Sequence, residues 1–150
     1  MSLTALKLAN AGNPVSKFIN SPKLPLYAAT GLATLHFVLA FNITRLRIAI
    51  GKNTDALKPG TPFDFSRRTQ LNVAEYTGSL LALLVFIQYK TDNGSELSRF
   101  GRFGALLSLF GSYIFTYGYS SQQTQGETPP LRVVGAVSRY IGFALMCIQL

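Results

Sequence analysis

Charge is scarce in this chain. Aspartate, glutamate, lysine and arginine make up 13% of its 150 residues, about half of the roughly 25% typical of soluble globular domains. With 48% hydrophobic residues, that composition argues against disorder and against an ordinary water-facing surface. Cysteine is reduced to Cys147 and histidine to His36. One chain therefore forms no internal disulfide and no Cys/His zinc site, and a Ser-His-Asp arrangement is nearly excluded. No metal is expected. Acidic residues number 6 against 14 lysines and arginines, for a net charge of +8. Nucleic acid is not the expected partner, because that reading needs the cations on a folded, wet face, and here they flank apolar stretches. The length fits one domain covering 1–150.

The uncharged runs carry the architecture. Leu24 to Thr44 is 21 residues without charge, Phe103 to Gly126 is 24, and Thr69 to Tyr89 is 21 with Glu75 as its sole charge. Each is long enough to cross a bilayer core of about 30 Å as a helix rising about 1.5 Å per residue. A fourth run, Leu131 to Leu150, has Arg132 and Arg139 near its start, where long side chains can snorkel to the headgroups. A soluble bundle is disfavoured, because its wet faces would show charge at helical spacing. The expectation is an all-α, integral membrane four-helix bundle of up-down topology, with spans at about 24–44, 69–89, 103–121 and 131–150.

Ser2 to Ala11, closed by Gly12-Asn13-Pro14, fits either an amphipathic interfacial helix or a disordered tail. The run after Lys23 is too long, and too poor in a small-residue cleavage site, for a cleavable signal. Loop one, about Arg45 to Arg67, turns at Pro59-Gly60-Thr61-Pro62. Loop two turns at Asp92-Asn93-Gly94 with Ser95 as a candidate cap, and Pro129-Pro130 suits the start of span four. Loops one and three with their flanks hold eight lysines and arginines against six on the other side. The positive-inside rule thus leans towards a cytosolic loop one.

Span two holds the chemistry. A carboxylate inside a bilayer costs about 2.5 to 3.5 kcal/mol on insertion scales, so Glu75 needs a partner or a wet cavity. Taking Arg68 as origin and about 100° per residue, Asn72 lies near 40°, Glu75 near 340°, Tyr76 near 80° and Ser79 near 20°. This stripe of cation, amide, carboxylate and phenol is expected to face the bundle interior. It is either an Arg68–Glu75 packing network or a site for a zwitterionic, peptide-like ligand at the membrane edge.

The stretch Arg68-Thr69-Gln70-Leu71-Asn72-Val73-Ala74-Glu75-Tyr76, followed by Leu80-Leu81, resembles the helix-two signature R-x-x-x-N-x-x-E-Y of the MAPEG family, the membrane-associated proteins of eicosanoid and glutathione metabolism. The likeness is strongest to its leukotriene-forming and microsomal glutathione transferase branches. It extends to Arg45, to Gly118-Tyr119 and to Arg139, and so covers most of the chain beyond Leu24. It implies a homotrimer with glutathione as cosubstrate, bound between subunits near the cytosolic surface. Arg68, Gln70, Asn72, Glu75 and Tyr76 from helix two would hold the tripeptide, joined by Arg45 and Tyr119. The implied location is the endoplasmic reticulum or another intracellular membrane in a eukaryote, or the inner membrane in a bacterium.

The sequence departs from that pattern at three places. Gly78 replaces the usual proline after Glu-Tyr, Phe115 stands where a ligand-binding tyrosine is usual, and Gly126 falls at the thiol-activating arginine. Arg132, six residues on, is the available cation. The expected activity is a glutathione transferase or peroxidase acting on lipophilic electrophiles or lipid hydroperoxides, with Arg132 and Tyr119 stabilising the thiolate. The alternative is a non-enzymatic relative that binds or presents a membrane lipid. In span three, Gly104, Ser108, Gly111 and Ser112 form a small-residue stripe, read as a contact between subunits. Tyr113 and Tyr117 are read as belt or packing residues, and His36 as a packing or hydrogen-bonded one.

Overall fold

A computed structural model describes residues 13–121 and 128–150. The alternatives for Ser2 to Ala11, and the position of Gly126, lie outside these residues. Among the described residues there is no strand; the elements are helices α1 (Pro14–Ile19), α2 (Leu24–Ile50), α3 (Pro62–Asp92), α4 (Arg99–Ser120) and α5 (Pro130–Ile148), with a single 3-10 turn at Thr54–Leu57.

Local chemistry sets the helix starts. The Asn13 side chain accepts from the Val15 N–H at 2.9 Å and Pro14 opens the first turn of α1, so Asn13-Pro14 begins a helix where the sequence suggested an end. The Thr61 hydroxyl caps α3 by accepting from the Asp64 N–H, with Pro62 at the first helical position. Ser98, rather than the expected Ser95, caps α4 by accepting from the Gly101 N–H. Gly94 takes φ +94 in the turn after α3, a conformation open to glycine because it lacks Cβ.

The long helices outrun the uncharged segments. α2 has 27 residues and α3 has 31, and at about 1.5 Å per residue α3 exceeds the roughly 30 Å of a bilayer core. Loop one is therefore short, and Arg45, Arg47, Arg67 and Arg68 all belong to helices. Arginine is a good helix former, so charge ends an apolar run without ending a helix. Three helical segments are long and apolar enough to cross a membrane: Leu24–Ile50, the stretch containing α3, and Pro130–Ile148. α4 falls short of that apolarity, because glycine, serine and tyrosine take places that aliphatic residues hold in the others.

Successive long helices run antiparallel. The Leu26 N–H donates to Gln88 Oε1, and Gln149 accepts from the Ser98 N–H at 2.9 Å while donating to the Glu96 carbonyl at 3.1 Å. The start of α2, the end of α3, the start of α4 and the end of α5 thus meet at one level. Leu24, Leu32, Leu84, Ile87, Ala105 and Met146 pack there as one core, and Leu35, Val73, Phe115 and Tyr119 form a second. Hydroxyls along the helices turn back onto their own backbone, as Thr30 does to the Leu26 carbonyl and Thr77 to that of Val73. Such bonds keep polar groups satisfied where water is absent.

α4 and α5 make the closest pair. A Cβ placed on Gly118 would lie 2.5 Å from the Arg132 nitrogen, and one on Gly142 would lie 2.5 Å from Ser108 Oγ. A Cβ on Gly111 would meet Ser138 Cβ at 2.8 Å. The small-residue stripe of span three is thus filled by α5 of the same chain, which removes it as an argument for a contact between subunits. Packing of this kind holds helices together where no hydrophobic drive acts between them.

Candidate ligand-binding site

Because α3 is continuous, Arg68, Asn72, Glu75, Tyr76 and Ser79 do share one face. That face turns outward. Arg68, Glu75 and Ser79 are exposed and Asn72 and Tyr76 half-buried, while Thr69, Val73, Thr77, Leu80 and Leu84 supply the buried side of α3. The expectation that the stripe faces the interior is corrected: the aliphatic side is what the other helices of the chain bury. No ion pair joins Arg68 to Glu75 among the described residues. Arg68 Nε instead meets Asp64 Oδ2 at 3.0 Å, one helical turn earlier. Asp64 is buried and also accepts from the Gly60 N–H at 3.1 Å. Asn72 donates to the Arg68 carbonyl at 2.8 Å. Gln70 is half-buried.

The other site residues sit elsewhere. Arg45 is exposed on α2, with Nη2 3.5 Å from Asn42 Oδ1, and no hydrogen bond or ion pair ties it to the α3 stripe among the described residues. The guanidinium of Arg132, in the first turn of α5, lies 4.4 Å from the centroid of the buried Tyr119 ring. The two residues expected to serve the thiolate are therefore neighbours. Tyr119 packs in the cluster of Val73, on the inner side of α3, so within one protomer this pair and the outward stripe occupy different faces of the helix. Tyr113 donates to the Gly31 carbonyl at 3.1 Å, a packing role. His36 is half-buried and its Nδ1 has no hydrogen-bond partner, so it packs rather than bonds through that atom.

Arg139 is the residue whose setting the sequence misjudged. It stands mid-way along α5, not near a membrane boundary, and is 4% exposed. Its guanidinium lies 3.9 Å from the Phe115 ring centroid and 4.9 Å from that of Tyr76. Nε is buried without a hydrogen-bond partner, and no carboxylate pairs with it among the described residues. Aromatic faces stabilise such a cation by about 0.5 to 2 kcal/mol, which does not offset the roughly 2.5 to 3.5 kcal/mol of placing it in a span. Tyr140, also missed, donates from its hydroxyl to that of Tyr76 at 2.8 Å, and the two rings meet edge to face at 5.5 Å. A cavity of about 250 Å³ opens between Tyr76, Ser79, Leu80, Arg139, Tyr140 and Phe143. The signal for both residues was position: Arg139 is too far from Pro130 to snorkel with ease, and Tyr140 follows it.

Set against protein-family models, characterised proteins and solved structures, the chain matches none of them. The geometry alone carries the chemistry. Arg68 is exposed while its partner Asp64 is buried and is also held by the Gly60 N–H and by Arg67 Nη2 at 3.4 Å, so Asp64 keeps partners if Arg68 turns to a carboxylate on a ligand. Glu75 offers an anion with no ion-pair partner among the described residues, and Asn72 and Tyr76 offer neutral hydrogen-bonding groups one turn apart. The set can receive a small molecule carrying both a carboxylate and an ammonium.

Proposed function

We propose that the chain is a MAPEG-like membrane protein that binds glutathione and joins its thiolate sulfur to lipophilic electrophiles, the thiol proton leaving with the displaced group or passing to the acceptor, or uses two glutathione molecules to reduce a lipid hydroperoxide to the alcohol and water with formation of glutathione disulfide. In this reading α2 to α5 form a four-helix transmembrane bundle that assembles as a homotrimer. The observation that carries it is the outward stripe of Arg68, Asn72, Glu75 and Tyr76 on one uninterrupted helix. A stripe that serves only packing within the chain would be expected on the buried side of α3. An outward stripe suits a ligand held against a second copy.

Glutathione has two carboxylates and one ammonium, which match Arg68 with Arg45 and Glu75. A free thiol with a pKa of about 8.5 is only slightly ionised near neutrality, so the reaction needs a group that favours the anion. Arg132, held over the Tyr119 ring, supplies a cation, and the Tyr119 hydroxyl a donor. Because these two lie on another face of α3 from the stripe, the thiol end of a ligand on one copy would meet the Arg132–Tyr119 pair of its neighbour. The lipid-presenting alternative draws on Gly126, which stands at the family's arginine position.

Turnover decides between them. Purified protein in detergent, given glutathione and a panel of electrophiles and lipid hydroperoxides, should turn over at least one acceptor. Arg132→Ala should leave glutathione binding nearly intact while lowering kcat and raising the pKa of the bound thiol, as expected of a group that acts in the transition state. Unchanged turnover in both Arg132→Ala and Tyr119→Phe would refute the catalytic roles. A parent that binds glutathione but turns over no acceptor would favour the lipid-presenting alternative.

A further inference from the structure

The end of the bundle where α4 begins and α5 ends is basic. Lys17, Lys23, Lys90, Arg99 and Arg102 lie there against two side-chain carboxylates, Asp92 and Glu96, and no acidic residue precedes Asp55 in the chain. Asp92 accepts from Gln88 Nε2 at 2.8 Å, and Glu96 borders a cavity with Arg102 without pairing to it. Among the described residues neither Arg99 nor Arg102 has an ion-pair partner. Asn20, just past α1, donates from Nδ2 to the Ser16 carbonyl at 2.9 Å, which turns its Oδ1 to Arg102 Nη1 at 2.6 Å. Phe18 of α1 stacks on Tyr27 of α2 at 5.6 Å. α1 is thus pinned beside the start of α4, and a cavity of about 140 Å³ lies between them, lined by Ile19, Asn20, Arg99, Arg102, Phe103 and Leu106. Arg102 Nε is buried without a hydrogen-bond partner.

We infer that this crevice holds the phosphate of an anionic phospholipid, with Arg99 and Arg102 as its cations and one acyl chain lying against Phe103, Leu106 and Phe110. Three features select this ligand. Arg99 and Arg102 stand at i and i+3 on one side of the helix, where two guanidinium forks can converge on the oxygens of one phosphate. They occupy the first turn of a helix whose continuation along that side, Phe103 and Phe110, is apolar and exposed, so the anion sits at headgroup level with its chain attached. The excess of cations selects a lipid of net negative charge over phosphatidylcholine, whose own ammonium cancels its phosphate. The bound lipid ties α1 to α4 alongside the Asn20–Arg102 bond. No residue of α3 lines the crevice, so a second copy seated on the outward stripe of α3 leaves it to lipid. It also lies at the opposite end of the bundle from Arg68 and Arg132. The inference goes beyond glutathione binding and does not rest on it.

The test uses the full chain in phosphatidylcholine nanodiscs carrying a trace of phosphatidylglycerol, or of phosphatidylcholine, with a diazirine in one acyl chain. Phosphatidylglycerol should label peptides of α1 and α4 at least tenfold more than phosphatidylcholine does, a comparison that needs no variant. Unlabelled phosphatidylglycerol should displace the label, and soluble glycerol phosphate should not. Arg99→Gln, a change to an exposed side chain, should lower labelling at least threefold, and the Arg99→Gln, Arg102→Gln pair at least tenfold. The Lys17→Gln, Lys23→Gln pair removes the same charge from the same end and should keep most of the label. Equal labelling by the two lipids, or parental labelling in Arg99→Gln, would overturn the inference. So would full displacement by glycerol phosphate, which would make the crevice a site for free phosphate esters, or a matching loss in the lysine pair, for which diffuse attraction to a basic surface would suffice.

Discussion

Substituting alanine at Gly135 tests the tight pairing of α4 with α5. A Cβ there would fall on the backbone nitrogen of Phe115, 2.6 Å from its Cα and 2.7 Å from the Gly111 carbonyl oxygen. All three are backbone atoms of the facing helix, so no side chain can swing aside. Relief to ordinary contact demands that the helix axes part by about 0.7 to 1 Å, and a gap of that size forfeits a quarter to a half of the dispersion energy of the atoms it separates. Overpacking of this kind costs about 1 to 3 kcal/mol, and two rigid backbones place Gly135→Ala at the upper end. Gly78 is the internal control. It lies in the interior of α3, and a Cβ there meets nothing within 4 Å, so Gly78→Ala should gain up to about 0.5 to 1 kcal/mol of helix propensity. Thermal unfolding in detergent, followed by circular dichroism, should shift in opposite directions, by roughly 2 to 4 °C per kcal/mol at this chain length. Parental stability in Gly135→Ala would refute the close pairing. A loss at Gly78 would show that its open flank is covered by something outside the chain.

Gln149→Ala should cost about 1 to 2 kcal/mol in the same assay, because it leaves the Ser98 N–H and the Glu96 carbonyl without the partner that joins α4 to α5; an unchanged melting temperature would count against that clamp. In a Cys147→Ser background, cysteines placed at Lys58 and at Asn93 should be labelled from opposite sides of the membrane, and labelling of both from one side would contradict a crossing by α3. The Arg132→Ala and Tyr119→Phe variants should lower turnover while sparing glutathione affinity, and a matching loss of affinity would move these residues from thiolate stabilisation to ligand binding.

The approximate positions of the four long helices were legible because the uncharged runs from Leu24, Thr69, Phe103 and Leu131 were plain in the sequence, but the short α1 was not foreseen and only three helical segments are long and apolar enough to cross a membrane. Helix ends were not legible. The run measures the membrane, while α2 continues to Ile50 and α3 begins at Pro62 because arginines extend a helix readily. Periodicity showed that Arg68, Asn72, Glu75 and Tyr76 share a face, but an angle about a helix axis does not say which way the face turns. That depends on Val73, Thr77, Leu80 and Leu84 being the side other helices bury. The stripe of Gly104, Ser108 and Gly111 announced a close approach without naming the partner. The matching signal was Gly135 and Gly142 on α5, two turns apart. Arg139 was read by its nearness to the start of a span rather than by its depth, and its aromatic partners Phe115 and Tyr76 come from two other helices, a contact that no local pattern encodes.

Glutathione affinity, measured by titration calorimetry on the detergent-solubilised protein, tests the central claim most directly. The parent should bind, and Glu75→Gln and Arg68→Ala should each weaken binding by about 1.5 to 3 kcal/mol, the loss expected for a charge-assisted hydrogen bond; the unfolding temperature should be unchanged in Glu75→Gln, whose side chain is exposed, and somewhat lower in Arg68→Ala, which takes one partner from the buried Asp64. Binding equal to the parent in both variants, or no binding by the parent at all, would contradict the assignment of the outward stripe on α3 as the glutathione site.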